Sequence, residues 1–414
     1  DANVAVGQNA IGTNTTGSQN TALGHRALRD NTTASNNTAV GYDALKVNTT
    51  AINNVAVGSG AGDALTTGGY NVAIGTNALS TATTTTANVA VGERALEDTT
   101  GEQNTAIGSH VLRDNTSGNG NTGLGYFALG SATTGSLNVA IGYSSMSNAA
   151  VTGNYNIGIG YESLKAVTSG SENICLGRDS GHDVTSAVQN VAIGHESLTK
   201  NQSGTGNVAV GFQALENSTG GGNTGIGYKA GEGNEGGVFN VFIGENTRGT
   251  HPSHSQAIAI GRDIDAASGE VAIGTSGLGK IHCTFSSNAT WGRTSDERLK
   301  QNITDSALGL DFINDLRPVT YKWKPSNELP KTFPMYDKEN QKDTDVVMTG
   351  LVAQEVKTAL DTAGVDNFSG WGTDRDGIEY ISDALFVYPL IKAVKELTAK
   401  LEAAEARIKK LEES

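Results

Sequence analysis

Two side chains near residue 300 have the types and the spacing for covalent chemistry on the chain itself. Ser295 and Lys300 are five residues apart in Thr294-Ser295-Asp296-Glu297-Arg298-Leu299-Lys300. A serine hydroxyl attacks a carbonyl only when a neighbour removes its proton, and a lysine can do so when burial holds its amine neutral. Serine and lysine recur at this spacing on many surfaces with no chemistry attached. This pair differs in its place, because a monotonous repeat ends just before it and sequence of ordinary mixed composition follows. Asp296 and Glu297 read as solvated, and Arg298 as a local ion-pair partner.

The sequence beyond the pair carries further motifs. Residues 294–303 (TSDERLKQNI), 316–323 (LRPVTYKW) and 350–356 (GLVAQEV) follow in order at compact spacing. Together they resemble the C-terminal intramolecular chaperone, auto-processing domain of phage tail fibres, tailspikes and endosialidases. The module is similar to the self-cleaving region of a membrane-bound eukaryotic transcription factor family. The resemblance covers about residues 291–414. It implies scission between Thr294 and Ser295 by a single-turnover serine peptidase, with Ser295 and Lys300 as the dyad and no action on external substrates. Two routes fit. Ser295 could attack the Thr294 carbonyl in an N-to-O acyl shift completed by water, or Lys300 could serve the Ser295 of a neighbouring chain. Both need a neutral, desolvated Lys300.

The element that precedes the pair is a repeat. The pentad Asn-[Val/Thr]-Ala-[Val/Ile/Leu]-Gly recurs seventeen times, its glycines running from Gly7 through Gly24, Gly41 and Gly58 to Gly261 and Gly274. Successive glycines are 17 residues apart, with occasional steps of 16 or 18 and a last step of 13. Most copies carry a second apolar residue four places after the glycine, such as Leu28, Leu45, Leu96, Leu129 and Met146. Polar Thr/Ser/Asn/Gly loops complete each copy. A fixed period of this kind signals a solenoid whose coils bury their edges only by stacking.

Within the pentad, side chains alternate between two faces. The fourth position is always Val, Ile or Leu, which predicts a continuous buried row. The third is almost always Ala or Gly, which predicts a face closely approached by another backbone. The leading Asn suits a turn or a side-chain ladder, and the Gly a corner. Cys175 stands at the third position and reads as a small packed residue. Seventeen coils at the inter-strand spacing would make a rod of roughly 80 Å. The repeats resemble the heads of trimeric autotransporter adhesins and the shafts of phage fibres, although a period of 17 is longer than the usual adhesin head repeat. A monomeric ice-binding solenoid would need regular Thr arrays on a flat face, whereas Thr83 to Thr86 fall in a variable loop.

Composition bounds the remaining possibilities. With 54 Gly, 9 Phe and 3 Trp in 414 residues, one large close-packed core is not expected. A net charge of −14 argues against nucleic acid or an anionic membrane as partner. No signal-like segment opens the chain and no apolar run would span a bilayer, so membrane insertion is not expected. Two cysteines, Cys175 and Cys283, make neither a disulfide framework nor a zinc site. No cofactor and no metal are expected. His251 and His254 could ligate a metal only if three chains converged, and read as exposed loop residues. His25, His110, His182 and His195 fall at loop-side positions without evident partners.

After Gly274 the register is lost. Residues 280–291 alternate as a strand would, 311–323 and 346–358 read as helix or strand pieces, and 324–345 as an exposed loop. A loop over 364–377 offers Trp371 to a partner chain. From Tyr380 the pattern turns helical. Val394, Leu401 and Ile408 at a, with Leu390, Leu397, Ala404 and Leu411 at d, form a heptad seam. Lys400 and Arg407 at g face Glu405 and Glu412 at e, which suits a parallel trimer.

The expected fold is mainly β. A 17-residue-repeat β-solenoid, trimeric, occupies 1–277, with a junction at 278–294. A small α/β or α+β chaperone domain at 295–414 ends in a coiled coil at 385–414. The function implied by the resemblance is a trimeric phage or phage-like tail fibre for host attachment. It would bind a cell-surface receptor, glycans included, and reside in the virion or an extracellular particle. The chaperone domain would be released in the host cytoplasm. A bacterial trimeric surface adhesin or a shaft with an uncleaved trimerisation cap is the alternative. A glycan-degrading tailspike would need paired carboxylates in a groove, and Asp43, Asp63, Glu93 and Glu162 are scattered through the loops.

Overall fold

The computed structural model describes residues 2–413, apart from 149, 277–278, 285–291, 294–296, 334, 341–343 and 375. The chain divides into two compact units, Asp1–Thr294 and Ser295–Ser414.

In the first unit every pentad forms a short strand, beginning with Val4–Val6 and ending with Glu270–Thr275. Each strand pairs in parallel and in register with those of the coils before and after it, as in Val4↔Thr21, Ala22↔Ala39 and Ile174↔Val191. The protein is therefore a mainly β solenoid, carrying a 19-stranded sheet among the described residues. At its C-terminal end the chain reverses. Gly279–Thr284 runs antiparallel to Glu270–Thr275, and Gly292–Arg293 pairs antiparallel with Gly279–Thr284 in turn. This covers an edge that would otherwise offer unpaired backbone groups. Buried Glu270 ties the cap together through the Ala267 N–H at 2.7 Å, Lys280 at 3.3 Å and His282 at 3.1 Å.

The interior is narrower than the repeat suggested, and that reverses one expectation. The third-position residues Ala22, Ala39 and Ala56 point inward and are fully buried, facing Ala27, Leu28, Ala44 and Leu45 from the opposite wall. The fourth position, expected in the core, turns outward: Leu23 is 47 % exposed and Ile107 40 %. A flattened coil has one interior, and alternation sends only one of two neighbouring strand positions into it. The backbone that approaches the third position is the other wall of the solenoid. A Cβ on Gly225, for example, would lie 2.7 Å from the Ala230 carbonyl oxygen.

Two devices hold the coils. The pentad asparagines form a ladder from Asn3 to Asn240, buried from Asn20 onward. Asn156 Oδ1 accepts the Asn173 backbone N–H at 3.1 Å, and Asn173 Oδ1 accepts that of Asn190 at 3.1 Å. The Asn173 amide also donates to the Ala187 carbonyl at 2.8 Å, so one side chain satisfies the next strand and a turn. The second device is a set of left-handed turns. Leu28, Leu45, Leu129 and Met146 adopt φ near 50°, as do Arg26 and Asp43 two residues earlier in the corner. L-residues rarely adopt this conformation, and the burial of the leucines offsets the strain. The pentad glycine cannot be replaced. Gly24 has φ +141°, and a Cβ there would sit 2.3 Å from the Gly41 carbonyl oxygen.

Volume is conserved across the interior. Phe242 stands where Ala usually does, and the inner leucine beside it is replaced by Gly231, whose Cβ would lie 2.7 Å from the ring. Cys175 is accommodated in the same way by Gly181. Conversely, Val111 replaces the usual Ala and faces Gly123.

The second unit is small and mixed. Helix α1 (Leu310–Asp315), helix α2 (Ala353–Thr362) and helix α3 (Val387–Glu412) are joined by two hairpins. These pair Val319–Tyr321 with Met348–Gly350 and Trp371–Thr373 with Glu379–Ile381. Leu308, Phe312, Val356, Ala359 and Leu360 form the core. Trp371 packs on the edge of this core and stays partly exposed, its indole N–H donating to Glu379 at 3.2 Å. The helix expected from Tyr380 begins at Val387, because Tyr380 belongs to a hairpin strand and Asp383–Phe386 form a 3-10 turn. In the expected loop 324–345, Ser326–Glu328 forms a second 3-10 turn with Ser326 buried. The heptad residues of α3 are exposed, Leu397 by 56 % and Leu401 by 58 %.

Two outcomes test this packing. Gly123→Ala places a methyl 2.3 Å from Val111 Cγ1, which should destabilise the solenoid by about 1–3 kcal/mol. Adding Val111→Ala restores the alanine pair found elsewhere, as at Ala44 and Ala56, and should recover most of the loss in a denaturant-melt double-mutant cycle. Complete burial pushes the Cys175 thiol up to about 12. Iodoacetamide should therefore leave Cys175 unmodified near neutral pH until the chain is unfolded.

Candidate active site

Thr294 and Ser295, the expected cleavage site and nucleophile, lie outside the described residues, as does Asp296. The described chain resumes with a 3-10 turn, Glu297–Leu299. The Lys300 backbone N–H closes it by donating to the Glu297 carbonyl at 2.9 Å. Glu297, Arg298 and Lys300 are all exposed in the single chain. The expected base therefore sits at the end of the first turn of the second unit, where water reaches it.

The other two motifs are brought together. The strand Val319–Tyr321 of LRPVTYKW lies beside Met348–Gly350, the strand that leads into GLVAQEV. Next to this hairpin, Arg317 grips Glu355 with two donors: its Nε–H reaches Oε2 at 3.1 Å, and its Nη2 reaches Oε1. Glu355 lies in the first turn of α2, where the helix dipole also favours an anion. The Arg317 hydrogen bond holds the Glu355 carboxyl below its ordinary range. Spacing alone could not have identified this pair, since the two residues are 38 apart and neither lies on a shared periodic face.

The hairpin walls a cleft of about 610 Å³ lined by Tyr321, Trp323, Met335, Gln354 and Tyr380, with carboxylates from Asp374 and Glu379. Tyr321 and Trp323 meet edge to face, their centroids 5.4 Å apart. Helix α3 is fastened to the start of α1. Glu396 accepts the Leu310 backbone N–H at 2.7 Å, and the Lys392 ammonium donates to the Ser306 carbonyl. Helix α1 has no side-chain cap of its own, so Glu396 satisfies one of its orphan donors.

Three of the histidines expected without partners, His25, His110 and His182, do have them. His25 stacks on Tyr42 at 5.3 Å. His110 contacts Ser109 at 2.7 Å, His182 contacts Asp183 at 2.6 Å, and His195 lies 3.4 Å from Glu196. His251 and His254 lie 5.6 Å apart and engage Ser253 and Thr250.

Helix docking should respond to acid. The Leu310 N–H, assisted by Lys392, holds the Glu396 carboxyl below the ordinary glutamate range. A carboxylate lowered on folding stabilises the fold above its unfolded pKa, and that contribution is lost as pH falls through the folded value. Acid titration followed by amide exchange at Leu310 should therefore loosen the α1–α3 contact in that window. Glu396→Gln should remove most of this pH dependence.

Residues 295–365 match the family model described as the chaperone of endosialidase. No curated protein and no solved structure matches the chain.

Proposed function

We propose that this chain is the subunit of a trimeric fibre whose C-terminal module aligns three copies and then severs itself before Ser295. The observation that carries the reading is a coincidence of boundaries. The chaperone-of-endosialidase match begins at Ser295, and so does the second compact unit. Two exposed apolar seams support association. One is the outward second and fourth positions of the pentads, and the other is the heptad row of α3. Each leucine removed from water at such a seam contributes about 1.5–3 kcal/mol.

Ser295 Oγ attacks the Thr294 carbonyl carbon while neutral Lys300 takes its proton. The Thr294–Ser295 C–N bond breaks, the amine receives the proton, and water then hydrolyses the ester. The exposure of Lys300 in one chain gives this scheme a condition. The desolvation that leaves its amine neutral comes from assembly, so cleavage follows trimerisation. The dyad then acts once, on its own chain or a neighbour's. The mature shaft serves host-surface attachment in a phage or phage-like particle.

Denaturing mass spectrometry tests the scheme on wild type, Ser295→Ala and Lys300→Ala. The expected result is a wild-type fragment beginning at Ser295 that both variants lack. A wild-type chain that stays whole would sink the processing reading and favour a permanent cap, as on a bacterial surface adhesin. Charging the α3 seam with Leu397→Asp and Leu401→Asp should lower both the oligomer fraction in sedimentation and the cleaved fraction. Cleavage that persists in a monomeric variant would refute the dependence on assembly.

A further inference from the structure

One side-chain cluster on the solenoid is used neither by the core nor by the proposed processing. The position two residues after the pentad glycine holds carboxylates in three successive coils: Glu162, Asp179 and Glu196. All three have left-handed backbones with φ 53–57°, so they project from equivalent corners. At the coil spacing of about 4.8 Å, like charges in adjacent coils repel. No other stretch of this row places three like charges in succession. Arg26 is followed by Asp43, and Gln213 by Lys229.

Two imidazoles enter the same cluster. Glu162, Asp179 and His182 form one group and Asp179, His195 and Glu196 another, the nitrogen and oxygen atoms of each lying within 4.8 Å of one another. His182 Nε2 is 3.5 Å from Glu162 and His195 Nε2 is 3.4 Å from Glu196. Donor atoms around a tetrahedral zinc-sized ion are about 3.3 Å apart. Two further observations point to a ligand. The His195 Nε2 atom is itself shielded and makes no formed hydrogen bond, although the side chain as a whole is 34 % exposed. His182 Nδ1 is engaged by Asp183 at 2.6 Å, which turns Nε2 toward the carboxylates. A carboxylate behind a ligating histidine is the usual arrangement at metal centres. Lys165, 2.8 Å from Glu162, and Arg178, 3.0 Å from Asp179, offset part of the charge. Arg178 is largely exposed and can swing away.

We propose that Asp179 is the shared ligand of a divalent transition-metal site, with one imidazole–carboxylate pair on either side of it. Imidazole with carboxylate favours zinc and its borderline neighbours over magnesium or calcium. An ion in either group offsets the carboxylate row and ties the Asp179 coil to its neighbour. It stabilises the folded solenoid by binding it in preference to the unfolded chain.

The test is equilibrium dialysis of the metal-free full chain against Zn²⁺, with Mg²⁺ as the comparison ion, followed by thermal melts. Wild type should bind Zn²⁺ saturably and melt at a higher temperature with it. Asp179→Asn should abolish both effects. His182→Gln, His195→Gln and Asp183→Asn should each weaken binding by about 10–100-fold. His251→Gln/His254→Gln should bind as wild type does. The proposal is overturned if wild type binds no Zn²⁺, if Asp179→Asn binds it as tightly, or if Mg²⁺ competes on equal terms.

Discussion

The buried asparagine ladder is the constraint on which the solenoid depends. A coil whose interior admits little more than an alanine on one wall and a leucine on the other buries the asparagines at its turns. The backbone groups there must be satisfied by the chain. Asn173 does this in three directions, joining the coils on either side and the Ala187 turn carbonyl. Because its oxygen accepts the backbone N–H of the next asparagine, each coil is placed in register by the one before it. The same relation repeats along the unit, which makes it a one-dimensional stack of nearest-neighbour contacts.

That narrowness has consequences for the outer surface. Since only the middle of the three strand residues points inside, the Val, Thr, Ile and Leu residues beside it become outward rows. Substitutions within are matched locally, as Phe242 by Gly231 and Gly123 by Val111. A near-identical coil series specifies its lateral register weakly, and a long non-local β-assembly folds slowly. A terminal module that gathers copies through α3 answers both difficulties in the reading proposed above. Within that module Glu396 and Lys392 fasten α3 to α1 on one face while the heptad row on another remains open. The helix can thus dock and associate at once.

The two units differ in how they solve the problem of charge. In the second unit, isolated pairs such as Arg317–Glu355 link segments distant in the chain. In the solenoid, any residue type repeated at one position is stacked upon itself at the coil spacing. Aromatic residues exploit this, Tyr126, Tyr143 and Tyr161 stacking at 5.3 Å. Carboxylates cannot do so without a counter-charge, and Glu162, Asp179 and Glu196 are therefore the place where the repeat most requires one.

The sequence alone determined whatever depends on local period: the coil length, the strand in each pentad, the packed Cys175 and the heptad of α3. These features survive because stacking and helical pitch copy a linear pattern directly into space. The matched motifs after Ser295 were legible as well, although the relation of Ser295 to Lys300 was not. Tertiary structure decided which strand face is the interior, since that depends on the distance between two walls of a coil. It also decided the packing of Trp371 on the edge of the core, the late start of α3 at Val387 and the meeting of Arg317 with Glu355. Finally, it brought His182 and His195 to the carboxylate row. In linear sequence Glu162, Asp179 and Glu196 are 17 residues apart, and only the closure of each coil makes them neighbours.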